Sequence, residues 1–271
     1  MRVTEDILKS VGFIAIRNLD NNTFHMKGTA FFVVCDYRTP QFQYVVTAKH
    51  VIEQIDKMGI DELYVMVNLK NGQRGAVRTK TKDWIFNSRN SIDIAIHHGI
   101  VTSEYDQLYI PLSKILSDEI IKKYDIGIGE EVIITGLFVH HHGNNKNIPI
   151  IRVGNLVMFP EDKIQTKDYI MDAYLIEARS IGGLSGSPVF VNLGSLRVID
   201  GELKKSDNRE LYLIGIIHGH FHDRFLDLED KSKDEYLKLN TGIAIVIPIY
   251  KLMEMFNQKE VLDFEKKVLE S

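Results

Sequence analysis

Cysteine is nearly absent: Cys35 is the only one in 271 residues, so no disulfide can form within the chain. That excludes the stapled architecture of many secreted proteins and suits a reducing compartment. Cys35 itself lies in the apolar run TAFFVVC and reads as core packing, not as a nucleophile. Long apolar runs are missing too. No stretch approaches the ~20 residues that span a bilayer, and the opening MRVTEDILKS lacks the apolar segment of a secretion signal. The cytoplasm is the expected location. Positive charge is not in excess either: 33 Lys and Arg against 37 Asp and Glu leave a net charge of −4. This argues against nucleic acid or an anionic membrane as the main partner. No internal repeat or low-complexity tract stands out.

What is present is an ordinary globular balance, 44% hydrophobic and 26% charged, arranged mostly as short strands. GFIAIRN, GTAFFVVCD, FQYVVTA, ELYVMVNL and SIDIAIHH are rich in β-branched or aromatic residues and bounded by polar turns such as NLDNN and KNGQ. One helix interrupts them, HVIEQIDKMG, with Val51, Ile55 and Met58 at helical spacing and Gly59 as its stop. A more polar, partly helical stretch at 111–130 reads as a connection. A second β series follows: EEVIITGLFV, IPIIRVGNLVMF, YIMDAYLIEA, SPVFVNL, LYLIGIIHG and TGIAIVIPI. The segment 202–210 reads as a hairpin loop and 222–238 as a charged surface insertion. The tail from Tyr250 reads as a helix whose apolar face is Leu252, Met255 and Phe256. The pattern predicts an all-β protein of two six-stranded antiparallel β-barrels with a C-terminal helix. Its predicted division is a first barrel over 1–112, a linker over 113–127, a second barrel over 128–250 and the helix over 251–271.

One stretch asks for chemistry. Residues 182–190 read GGLSGSPVF, with Ser185 between glycines just ahead of a strand. Glycines let a chain turn sharply and aim consecutive N–H groups one way. A serine nucleophile needs a base, an acid that orients the base, and donors facing the developing oxyanion. Ser185 is the candidate nucleophile, with the N–H groups of Gly183 and Ser185 as the donors. Among ten histidines, His50 stands out because it ends the apolar strand YVVTAKH at a strand-to-helix corner. Asp93 interrupts the alternating strand SIDIAIHH, where an acid costs desolvation unless a partner waits for it.

Taken together these residues form a pattern. TAKHV resembles the TAxHV histidine motif, SIDIAI the DIAV/DIAL aspartate motif and GGLSGSPVF the GNSGGP serine motif of the chymotrypsin-fold serine proteases. The resemblance is nearest to their disulfide-free bacterial branch, which includes the DegP-like proteases. GTAFFVV, DWIF, GEEVIITGLF, IIRVGNLV, LYLIGIIHG and TGIAIVIPI extend the likeness over residues 5 to 258. The order His50, Asp93, Ser185 is the chymotrypsin order; an α/β-hydrolase would want G-x-S-x-G with the serine first, and position 187 is serine. The resemblance implies a serine endopeptidase acting on protein or peptide, with no cofactor and no metal. It also implies that 179–181 and 217–220 line the pocket for the side chain before the scissile bond. Arg179, His218 and His220, if inward, would favour an acidic or amide side chain; equally, Arg179 pairs with Glu177 or reaches solvent.

Departures matter as well. Leu184 stands where animal digestive enzymes carry an aspartate that pairs with a new N-terminus, so the oxyanion hole is expected to be either built in or ordered by an activating partner protein. The C-terminal PDZ module typical of DegP-like proteins is not expected. His140, His141 and His142 read as a solvated loop, since consecutive loop residues rarely converge on one ion. The rival reading is a protease-fold binding or scaffold module without turnover.

Overall fold

The run VGFIAIRN forms β1 (Val11–Asn18), whose first six residues are all buried. The structure, a computed structural model, describes residues 5–99, 102–166, 170–178, 182–205, 210–226 and 236–270, with the backbone alone at 222–226 and 236–240. A one-turn helix α1 (Asp6–Lys9) precedes β1. After it come β2 (Thr23–Cys35), β3 (Phe42–Thr47), β4 (Glu62–Asn68), β5 (Arg74–Lys80), β6 (Ile85–Phe86), β7 (Ala95–His98) and β8 (Ile110–Pro111). They lie in the order β5-β4-β1-β2-β3-β7-β6, with β8 parallel to β2. The sequence predicts six strands closed on themselves; here the first half is an open half-barrel, because β6 and β8 have two residues each and carry too little ladder to close it. Between β3 and β4 runs α2 (Lys49–Lys57), which buries Val51, Ile52 and Ile55. Met58, predicted on that buried face, is instead the exposed C-cap.

The connection contains α3 (Asp118–Tyr124), begun by Ser117, whose hydroxyl accepts from the Ile120 N–H at 3.3 Å. The second half comprises β9 (Glu131–Gly136), β10 (Ile150–Met158), β11 (Ile164–Gln165), β12 (Ile170–Met171), β13 (Tyr174–Glu177), β14 (Pro188–Asn192), β15 (Leu196–Ile199), β16 (Glu202–Lys205), β17 (Leu211–Leu226) and β18 (Tyr236–Pro248). Six of these close as β10-β13-β18-β17-β14-β9, around Val132, Ile134, Leu156, Ile176, Val189, Ile214 and Val246. β15 and β16 form a separate hairpin, turning at Asp200 and Gly201, both at positive φ. The segment 222–238 is not simply an insertion: β17 and β18 continue into it as a paired ribbon, from His222↔Asn240 to Leu226↔Tyr236.

The tail is two helices, α4 (Tyr250–Phe256) and α5 (Lys259–Leu269). Leu252, Met255 and Phe256 are buried in a cluster that also draws Phe31, Tyr44 and Ile94 from the first half and Ile133, Phe190 and Leu213 from the second. Buried Glu265 of α5 accepts from the Tyr44 hydroxyl at 2.5 Å and pairs with Arg38. The halves therefore share one apolar seam, and the site lies along it. No described helix is long and apolar enough to cross a membrane.

Candidate active site

β3 ends at Thr47, Ala48 stays extended, and α2 starts one residue later. His50 thus sits in the first helical turn, where backbone N–H groups lack intrahelical acceptors. Its N–H donates to Asp93 Oδ1 at 2.7 Å, and its ring Nδ1 lies 2.6 Å from Asp93 Oδ2. Asp93 is 2% exposed and flanked by the buried Ile92 and Ile94. It lies two residues before β7, so the strand that the sequence predicts around it begins only at Ala95. Burial by itself would raise this carboxyl. Hydrogen bonds from His218 and His50, together with their charge, outweigh burial and pull it down to about 2. The His50 imidazole is raised in turn: burial opposes the charged form, but the bond to Asp93 and the Asp93 and Glu53 charges prevail. With Nδ1 as donor to the carboxylate, Nε2 is the nitrogen left to take a proton.

Asp93 holds a second imidazole that sequence reasoning did not place there. His218 Nδ1 lies 2.5 Å from the same Oδ2, and the two rings meet edge to face with centroids 5.5 Å apart. The expectation for His218 was the pocket wall beside His220; its ring is turned to Asp93 instead. The cause lies in β17. Its register against β18 shifts between Ile217 and Gly219 and again between His220 and His222, and such an irregularity re-aims a side chain that strict alternation would send elsewhere. His220 pairs through its backbone with Ala244 and is half-buried. Arg179 lies outside the described residues.

The serine loop is anchored at several points. Leu184 is fully buried in the second-barrel core, a contribution of about 1.5–3 kcal/mol to holding the loop. Gly183 and Gly186 have φ of +97° and +83°, a region that side chains resist. At 186 a Cβ would also stand 2.3 Å from the Thr29 carbonyl oxygen. Backbone bonds run from Gly186 N–H to Ile217 O, Ile217 N–H to Ser187 O and Ser187 N–H to Leu184 O, at 2.8, 2.9 and 2.9 Å. Among the described residues, nothing accepts from the N–H groups of Gly183 and Ser185. The Ser185 hydroxyl donates to the His218 carbonyl at 3.3 Å; no hydrogen bond joins it to His50. Residue 218 therefore links the parts, its side chain on Asp93 and its carbonyl on Ser185.

His50, Asp93 and His218 present ligand atoms within 4.8 Å of one another, the one such group among the described residues. Both nitrogen–oxygen distances, 2.6 and 2.5 Å, are those of hydrogen bonds, and a zinc ion about 2.0–2.1 Å from each ligand would have to part them. His140 and His141 are exposed, and their loop is tied to the first half by Arg74, which donates to the carbonyls of His142, Gly143 and Lys146. Cys35 is fully buried, and burial pushes its thiol up to about 11.

No protein-family model and no curated protein matches the sequence. Solved structures do match in fold. The MamO protease domain from Magnetospirillum magneticum is 12% identical with a TM-score of 0.53, over 93% of this chain and 98% of that one. Deg5 is 16% identical with a TM-score of 0.51, over 92% and 88%. The Rv3671c protease from M. tuberculosis, in its active form, is 15% identical with a TM-score of 0.50, over 92% and 80%. The fold is that of the trypsin-like serine protease domains.

Proposed function

We propose that the chain is a serine endopeptidase in which Ser185 is the nucleophile, His50 the base and Asp93 the residue that orients it. The observation carrying this reading is the pairing of His50 with a buried, ionised Asp93 beside a serine whose flanking N–H groups, at 183 and 185, have no acceptor among the described residues. In the proposed reaction the Ser185 hydroxyl leaves the His218 carbonyl and turns toward His50 Nε2. The Oγ–H proton passes to Nε2 as Oγ bonds the scissile carbonyl carbon. The oxyanion is stabilised by the N–H groups of Gly183 and Ser185. Collapse breaks the C–N bond, the amine leaves with the proton from Nε2, and water releases the acyl group by the reverse sequence. The proposal extends to His220 as a lining residue of the specificity pocket that would favour an acidic or amide side chain; Arg179 lies outside the described residues. The buried single cysteine fits a reducing compartment.

A second reading, a binding or scaffold module without turnover, draws on one observation: the Ser185 hydroxyl is bonded to the His218 carbonyl and not to His50. Labelling with a fluorophosphonate separates the two. The enzyme labels at Ser185, and Ser185→Ala lowers turnover by about five to six orders of magnitude with the fold intact. A folded chain that never labels, with or without candidate partner proteins, removes the enzyme reading.

A further inference from the structure

Thr29 is fully buried at the barrel seam, and each of its four polar functions is engaged. Its hydroxyl donates to the Gly183 carbonyl at 2.8 Å and accepts from the Leu137 N–H at 2.9 Å. Its backbone N–H donates to the Ser185 carbonyl at 3.0 Å, and its own carbonyl accepts from the Thr47 hydroxyl at 2.6 Å. Two of these four bonds grip the serine loop, one on each side of Leu184.

We infer that Thr29 is the positioning residue for the oxyanion hole, a clamp from β2 that fixes the loop's backbone so that its two N–H groups face the substrate; this rests on the serine-protease reading above. A peptide unit carries its C=O and N–H on opposite edges, so fixing a carbonyl fixes the amide bonded to it. The Leu184 carbonyl is held by Ser187, which sets the Ser185 N–H. The Gly183 carbonyl, on the peptide unit that carries the Leu184 N–H, is held by the Thr29 hydroxyl alone among the described residues. The Ser185 carbonyl, on the unit that carries the Gly186 N–H, is held by the Thr29 N–H. These two held units bracket the one with the Ser185 N–H and adjoin, across the Gly183 Cα, the one with the Gly183 N–H. A flip of the Gly183–Leu184 unit would leave the buried Thr29 O–H without its acceptor and the Gly183 carbonyl without its donor, which the interior disfavours. The clamp also reaches across the molecule: β2 belongs to the half that carries His50 and Asp93, while Leu137 and Gly183 belong to the other. It therefore registers the oxyanion donors against the base.

The test compares Thr29→Val with Thr29→Ser by the rate of fluorophosphonate labelling across pH. Valine keeps the shape and loses the hydroxyl; serine keeps the hydroxyl. Losing a direct oxyanion donor costs about 10²–10³-fold, so losing its clamp should slow labelling by about 10- to 100-fold. Thr29→Ser should stay within about threefold of the unaltered chain. The pH midpoint of labelling should not move, because the clamp does not touch His50. If Thr29→Val does not fold, Thr29→Ala carries the same expectation. Valine or alanine variants that label as fast as the unaltered chain, or a serine variant as slow as them, overturn the clamp. An unaltered chain that does not label ends the protease reading, and the clamp with it, before any substitution is made.

Discussion

His50 and Asp93 stand on the open half-barrel and are joined through ionisable side chains, whereas Ser185 stands on the closed barrel and is fixed through backbone bonds, Leu184 and one hydroxyl. The first pair is held by charge: a carboxylate that is 2% exposed takes two imidazole N–H groups and a helix-start amide. The loop contains no charge from 182 to 187 and relies on shape. One side should therefore answer to pH and to loss of an ion, the other to changes in volume and backbone freedom.

The comparison breaks most sharply at Asp93. Asp93→Asn cannot accept from both imidazoles as the carboxylate does, and labelling of Ser185 should fall by about 10⁴-fold, as expected when the orienting acid is lost. Equal labelling rates in the variant and the unaltered chain would show that charge does not hold this side. On the other side, Gly186→Ala combines a φ of +83° with a 2.3 Å approach to the Thr29 carbonyl oxygen. Denaturant unfolding should show a loss of at least about 1–3 kcal/mol, the usual cost of such strain, and a variant as stable as the parent would contradict the close approach. The smallest effect is one of pH. His50 is raised above 6.5, so it sheds its proton only above that value, and the acid limb of the labelling profile should have its midpoint above pH 6.5. Asp93→Asn should move that midpoint down. The stability link has the opposite sense for Asp93. Its depressed carboxyl stabilises the fold fully above about pH 3.9, and this is lost as pH falls toward about 2.

The charged side was the more legible in the sequence. An acid within the apolar stretch SIDIAI and a histidine closing the apolar run YVVTAKH carry their own signal, because each needs a partner to be there. The structure places Asp93 two residues before β7 and His50 in the first turn of α2. His218 was legible as a residue but not in its direction, since the register shift in β17 depends on pairing with a strand about twenty residues later. Thr29 gave no signal at all: a threonine in a strand is ordinary, and its role comes from Leu137 and Gly183, more than a hundred residues away. The alternation of strands was enough to foresee the two β-rich halves, but not that the first would stay open or that the tail would break at Asn257 and Gln258.

Leu184 has a consequence for control. A loop moored by a hydrocarbon side chain offers no ion for a fresh chain end to find, so cutting elsewhere in the protein cannot assemble this site through that contact. Under the serine-endopeptidase reading, control would then come by another route than a freed N-terminus, for instance through a partner that orders the loop or guards access to it.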